Sequence, residues 1–421
     1  MSDQPAPRPR VVIIGGGFGG LWGAKAVAHA PVDVLLIDRR NHHVFSPLLY
    51  QVATAALAPG DIASPIRWIL RRQRNVKIWL AEAVSIDTAK KTVRLSDGEV
   101  AYDYLILAAG SRPAYFGHDD WETNAPGLKT MEDAITIRRQ VLVAFERAER
   151  ERDRARQKQL LTFVVVGGGA TGVELAGALA EISRHALAHD FRSIQPETAR
   201  VILIESGAEV LATYVPNLSA FARRALEKRG VAVWTGMRVT NIEPGRVHLG
   251  GEVLEAGTVI WSAGVSAAPI GASLGVPMDR SGRVLVNPDL TIPGCDDVYV
   301  VGDMALLNGA DGKPLPGVSQ VAMQEARWAA DNIARTLRGE PRKPFVYMDL
   351  GNMATIGRNS AVADLPWLRL RLKGYLAWWA WLMLHIYWLI GFRNRLSVMT
   401  QWAWSYMTYQ RSTRLITGDE E

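Results

Sequence analysis

Two glycine loops constrain this chain more than any other feature. Gly15-Gly16-Gly17-Phe18-Gly19-Gly20 follows the apolar run Val11–Ile14, and Gly167-Gly168-Gly169-Ala170-Thr171-Gly172 follows Phe163–Val166. Each satisfies GxGxxG. In that pattern the first glycine permits a tight turn out of a strand, the second lets a pyrophosphate approach the backbone, and the third lets helix and strand pack closely. The start of the next helix then offers unpaired N–H groups to phosphate oxygens. A lone GxGxxG says little. Here each loop is followed by a second apolar run ending in an acid, Val34–Ile37 with Asp38 and Val201–Ile204 with Glu205, placed to hydrogen-bond an adenosine ribose. The chain therefore reads as two dinucleotide-binding sites.

The second acid follows Gly172 by 33 residues, where about 20 is usual. Residues 186–199 are expected to supply a longer helix end and an added loop. Ser206 and Gly207 follow Glu205, with no arginine for a 2′-phosphate, so the site is expected to prefer NADH over NADPH.

Further short apolar runs ending in glycine lie at 104–110, 259–264 and 298–303. Such runs suit strands buried on both faces of a parallel sheet. Helical periodicity fills 131–158, 172–189 and 318–338, and the doubly charged stretch Phe145–Gln159 reads as a solvated helix entering a new domain. The fold class expected is α/β. Two dinucleotides on one chain are most economically a flavin and a nicotinamide. Asp303, directly after Gly302 at a strand end, is placed to hold the ribityl hydroxyls of FAD.

Composition prunes the chemistry. The length of 421 residues suggests two or three domains, and the single cysteine, Cys295, excludes an internal disulfide, a CxxC pair and a cysteine-held zinc or iron–sulfur site. Electrons must then travel on an organic cofactor. Cys295 is expected to be a buried, inert thiol, no metal is expected, and no acidic loop suggests calcium control. The net charge of +6 is local: residues 365–418 hold Arg369, Arg371, Lys373, Arg393, Arg395, Arg411 and Arg414 and no acid. A nucleic-acid partner would need a basic groove on the main body, which is absent. No signal peptide is expected, because the polar start, Met1–Arg10, leads directly into the first strand, so the chain is expected to stay in the cytoplasm.

Seven of the 14 tryptophans lie between Trp367 and Trp404. Residues 374–392 carry no charged side chain, and as one helix would measure ~28 Å, close to the ~30 Å of a hydrocarbon core. Yet Trp378, Trp379, Trp381 and Trp388 sit inside the run, His385 lies past its middle, and a second aromatic stretch follows at 402–409. Two helices lying in the membrane interface, with basic residues toward anionic headgroups, explain more than a span does.

The order of these motifs resembles the two-dinucleotide-binding flavoproteins, in which an NAD domain interrupts an FAD domain. Asn41–Ala53 (NHHVFSPLLYQVA), Val318–Gln324 (VSQVAMQ) and Gly391–Trp404 (GFRNRLSVMTQWAW) narrow the resemblance to type II NADH:quinone oxidoreductase, over residues 9 to 416. The resemblance implies two Rossmann-type domains, the second inserted in the first. FAD binding is expected in 1–116 and 290–345, NADH binding in 117–289, and a membrane-docking helical region in 346–421. It assigns FAD to Gly15, Gly17, Phe18, Gly19, Gly20, Asp38, Arg39, Ser46, Val84, Ala109, Gly110, Asp303, Gln320 and Val321. It assigns NADH to Gly167, Gly169, Thr171, Gly172, Glu205 and Gly264. Glu174, Gln320 and Gln324 are implied to be catalytic, toward flavin or quinone. Gln320 and Gln324 share one helix face by their spacing; Met323 stands where some relatives carry a histidine. His42 and His43 read as structural or solvated, while Phe45 and Tyr50 suit either a flavin contact or the core.

The resemblance further implies two-electron transfer from NADH through FAD to ubiquinone or menaquinone, without proton pumping. It places the protein as a homodimer on the bilayer surface through 365–416, at the cytoplasmic face of the inner membrane. A reductase of a soluble carrier of ferredoxin or rubredoxin type, or a membrane-docked nucleotide-binding sensor, would share both glycine loops.

Overall fold

The structure, a computed structural model, describes residues 8–408, 411 and 413–417. Met1–Pro7, within the polar start, and positions 409, 410 and 412, within the 365–416 surface, lie outside the described residues. The chain divides into two compact units: residues 1–43, 63–112 and 265–348, and residues 44–62, 113–264 and 349–421.

In the first unit, β1 (Arg10–Ile14), β2 (Asp33–Asp38), β3 (Val76–Leu80) and β4 (Tyr104–Leu107) build a parallel sheet in the order β3-β2-β1-β4, with α1 (Phe18–Ala26) between β1 and β2 in the chain. The Cys295–Val300 strand adds in parallel beside β4. Val11, Val12, Ile13, Leu105, Ile106 and Leu107 are completely buried, as strands covered on both faces require. The Ser319–Leu337 helix packs along α1. Cys295 is only half-buried at the start of its strand, which corrects the expectation of a buried thiol.

The second unit repeats the arrangement. It contains α2 (Leu49–Ala53), α3 (Met131–Arg150), α4 (Arg154–Leu160), β5 (Thr162–Val166), α5 (Ala170–Glu181), β6 (Arg200–Glu205), β7 (Val231–Thr235) and β8 (Thr258–Trp261). Its sheet runs β7-β6-β5-β8, parallel throughout. The expected single helix over 131–158 is instead two. Glu151 is extended, its carboxylate accepts the N–H groups of Arg152 and Asp153, and Asp153 then caps α4 through the N–H of Ala155 at 2.9 Å. The helix after the second glycine loop continues as a π turn, Ile182–Ala186, into a loop, as the long spacing before Glu205 required.

The C-terminal part differs most from expectation. Before any helix it forms an antiparallel three-stranded sheet, β9 (Asn352–Gly357), β10 (Ser360–Leu365) and β11 (Leu370–Gly374). The uncharged run then makes α6 (Tyr375–Trp388), of 14 residues, and a turn at 389–391 separates it from α7 (Phe392–Thr408). Arg395 holds that turn by donating to the carbonyls of Leu389 and Tyr387, both at 2.7 Å. A 14-residue helix is about 21 Å long. Among the described residues no helix is long and apolar enough to cross a membrane.

Both C-terminal helices are apolar on more than one side. Ala377, Trp381, Leu389 and Val398 are buried. Leu376, Trp379, Met383 and Tyr387 form an exposed stripe on α6, and Phe392, Leu396, Met399 and Met407 form one on α7. The basic residues are less uniform than their sequence suggested. Arg369, Arg371, Lys373 and Arg393 are exposed. Arg395 holds the interhelix turn, Arg411 is buried with its guanidinium on the Thr54 carbonyl at 2.6 Å, and Arg414 binds the Ala186 carbonyl and Asp190. Those last three guanidinium groups are engaged within the unit, while the other four stand at its surface.

Candidate active site

The two glycine loops have the same hydrogen-bond geometry. Gly15 donates to Ile37 O and Gly167 to Ile204 O, both at 2.8 Å. The next residue in each loop donates to the acid that ends the second strand: Gly16 N–H to Asp38 Oδ2 at 2.5 Å, and Gly168 N–H to Glu205 Oε2 at 2.6 Å. The turns need glycine, with φ of +101° at Gly15 and +108° at Gly167. Helix and strand meet closely at the last glycine: a Cβ on Gly20 would lie 1.7 Å from Gly15 O, and one on Gly172 would lie 1.8 Å from Gly167 O. Over the helix starts the space is open, and a Cβ on Gly17 or Gly169 would meet nothing within 4 Å. Close packing below, open space above and a carboxylate at the rim fit an adenine dinucleotide at each loop.

Around the first loop, Phe18 packs edge-on against His43 at 5.0 Å. His43 Nδ1 meets the Gly16 carbonyl at 3.0 Å and therefore carries the proton. Burial lowers its pKa to about 4, so the ring stays neutral and braces the loop. Arg39 and Val84 are exposed, Ala109 and Gly110 follow β4, and Val321 is buried in the Ser319–Leu337 helix. Asp303 Oδ2 accepts the Ser111 hydroxyl at 2.5 Å. Gln320 is half-buried on the first turn of the same helix. Gln324 is engaged at both ends of its amide, donating to Met348 O at 2.9 Å and accepting Met348 N–H at 3.0 Å. That geometry makes Gln324 a brace for the 348 segment.

In the second unit, Glu205 Oε1 also accepts Gly207 N–H at 2.6 Å, Thr171 is exposed in the first turn of α5, and Gly264 packs beside Phe116. Ser46 belongs to this unit and is exposed. Glu174 stands one helical turn past the loop and turns toward β9, where it accepts Thr355 N–H at 3.3 Å. Desolvation pushes its pKa up to about 8, only partly offset by that bond. Its carboxyl is thus protonated at neutral pH. Tyr50 is buried on α2, and desolvation followed by the charge of Glu174 raises its pKa well above the usual phenol range. Phe45 is buried and meets His385 edge-on at 6.1 Å. Sequence reading missed the setting of Tyr50, because Glu174 beside it and Trp402 on the far side of Gln51 lie far along the chain.

A sequence model of the pyridine nucleotide-disulphide oxidoreductase family matches residues 9–326, and one of the NDH2 C-terminal domain matches residues 350–410. The chain is 45% identical to the type II NADH:quinone oxidoreductase NdhA of Mycobacterium tuberculosis, over 99% of this chain and 92% of that protein. It belongs to the type II NADH:quinone oxidoreductase family. A second M. tuberculosis member, Ndh, is 43% identical over 100% of this chain and 92% of its own. The structure of NDH2 from Plasmodium falciparum in complex with NADH superposes with a TM-score of 0.87 at 20% identity, covering 98% of this chain and all of that one. The type II fold therefore extends through β9–β11 and the C-terminal helices.

Proposed function

We propose that this type II oxidoreductase carries two electrons from NADH to a membrane quinone, ubiquinone or menaquinone, without moving protons across the membrane. The observation that carries the reading is the duplicated loop, each with its own acid, in a chain that follows this family along its whole length. Residues 1–116 and 290–345 hold FAD, residues 117–289 hold NADH, and residues 346–421 form the anchoring region. Bound FAD supplies the two-electron relay between nicotinamide and quinone.

The remaining work belongs to the chain. Gly17, Gly19 and Gly20 admit one pyrophosphate to the start of α1, with Asp38 on the ribose and Arg39, Ser46, Val84, Ala109, Gly110, Asp303, Gln320 and Val321 along the rest of FAD. Gly167, Gly169, Thr171 and Gly172 do the same for NADH at α5, with Gly264 beside it. Glu205 selects the 2′-hydroxyl and repels a 2′-phosphate. Glu174 holds a proton near neutral pH for the quinone side of the reaction. Gln320 and Gln324 act toward flavin or quinone, Gln324 from a position held by Met348.

We place the protein as a homodimer on the cytoplasmic face of the inner membrane; of this, the exposed stripes of α6 and α7, with Arg369, Arg371, Lys373 and Arg393, support the docking on a bilayer. The test is anaerobic stopped-flow absorbance of the purified protein. NADH bleaches the flavin band and a short-chain quinone restores it. Bleaching without restoration by quinone, but with restoration by a soluble carrier protein, would replace this reading with the carrier reductase.

A further inference from the structure

One buried hydrogen-bond chain in the second unit has a fixed polarity. The Trp402 indole Nε1–H donates to Gln51 Oε1 at 2.7 Å, and Gln51 Nε2 donates to the Tyr50 hydroxyl at 2.9 Å. An indole N–H can only donate, so it fixes which end of the Gln51 amide faces it. The reversed amide would set two donors against each other. Gln51 must therefore offer its NH2 to Tyr50, and the Tyr50 oxygen must accept. The phenolic proton is left to point elsewhere, and among the described residues no acceptor meets it. Tyr50 is 6% exposed and Gln51 8%, so a hydroxyl proton left without an acceptor here calls for a bound group. The packing of α2 on α5 brings the ring near Glu174.

We propose that the Tyr50 hydroxyl is a hydrogen-bond donor to a carbonyl oxygen of the quinone, and that Gln51 and Trp402 are positioning residues that aim it. This rests on the quinone reductase reading above. A quinone carbonyl is a neutral acceptor that tolerates a buried site, and a donor bond to it strengthens as negative charge grows on that oxygen during reduction. Tyr50 keeps its proton throughout and polarises the carbonyl without transferring hydrogen.

Three variants test the chain against its polarity. Tyr50→Phe deletes the donor and keeps the ring. We expect restoration of the flavin band by ubiquinone-1 to slow by ~3–10-fold, the value of one neutral hydrogen bond. Bleaching by NADH should be unchanged, and the dissociation constant of ubiquinone-1 for the oxidised protein should rise by a similar factor. Gln51→Glu leaves the Tyr50 hydroxyl in place, but an ionised carboxylate accepts from both neighbours and turns the phenolic proton inward. This variant should match Tyr50→Phe at pH 9 and move toward wild type wherever the carboxyl is protonated. Trp402→Phe frees the amide to rotate and should give a smaller loss in the same step.

Wild-type quinone rates in both Tyr50→Phe and Gln51→Glu at every pH would overturn the proposal. Equal slowing of the NADH step in Tyr50→Phe would overturn it as well, by making the hydroxyl structural. If the wild-type flavin is not restored by quinone at all, the functional reading fails and takes this proposal with it; intact wild-type turnover with unaffected variants removes the proposal alone.

Discussion

The Glu325 carboxyl accepts the backbone N–H of Gly302 at 2.6 Å, one residue before the Asp303 assigned to the flavin. Glu325 is 1% exposed, and desolvation, with a smaller contribution from the charge of Asp303, raises its pKa to about 8. The folded state thus binds a proton between about pH 4.5 and 8 that the unfolded state releases, so stability falls as pH rises through that window. Calorimetric Tm should decline from pH 5 to 8 in the wild type. Glu325→Gln keeps an acceptor for Gly302 and should lessen the decline, Glu174 supplying the remainder, and raise Tm at pH 8 by ~2–4 °C. An unchanged slope would mean that Glu325 does not titrate there.

Glycines within one loop should separate binding from folding. The open space at Gly169 makes Gly169→Val an obstruction to ligand alone. Its KM for NADH should rise at least ~10-fold, with flavin content and Tm unchanged. Gly172→Ala instead drives a methyl into Gly167 O, so it should lower Tm or prevent folding. Asp303→Ala should lose bound FAD on gel filtration while NADH titration is preserved.

Glu174 should set the pH dependence of the quinone step. With its pKa near 8, the protonated form is lost as pH rises through that value, and the rate of quinone reduction should fall above it. Glu174→Gln should remove that break from the pH profile of restoration by ubiquinone-1, with a rate ~10–100-fold below wild type at pH 7.

The parallel sheets were legible because a strand buried on both faces is written as an unbroken apolar run, and the glycine loops because their spacing is dictated by a phosphate. Other features were written only in tertiary contact. In the β9–β11 sheet, Asn352–Gly357 shows neither alternation nor a long apolar run, its buried residues being the consecutive Ala354, Thr355 and Ile356. The turn at 389–391 interrupts a uniformly apolar run, and its stabilising guanidinium, Arg395, lies beyond it. Residues 44–62 and 349–421 share a compact unit with the second loop although chain order separates them. Gln51 and Trp402 are 351 residues apart, a distance at which no periodicity can report a hydrogen bond.

Membrane affinity should follow the exposed stripes and not the total basic count. Met383 is 63% and Phe392 80% exposed, and burying such side chains contributes about 1.5–3 kcal/mol each. Met383→Ser with Phe392→Ser should therefore weaken sedimentation with anionic vesicles at least ~10-fold, while NADH-to-ferricyanide activity persists. Arg414→Gln, whose guanidinium is already held by Ala186 and Asp190, should leave vesicle binding within about twofold.

The matching bonds Gly16–Asp38 and Gly168–Glu205 also bear on inhibition. A small molecule that reads only a glycine turn and its carboxylate, such as adenosine diphosphate, finds the same lock twice and gains nothing by choosing. Compounds meant to discriminate between the two must also contact the residues just after each acid, Arg39 and Arg40 at one loop or Ser206 and Gly207 at the other, where the duplicated halves cease to be copies.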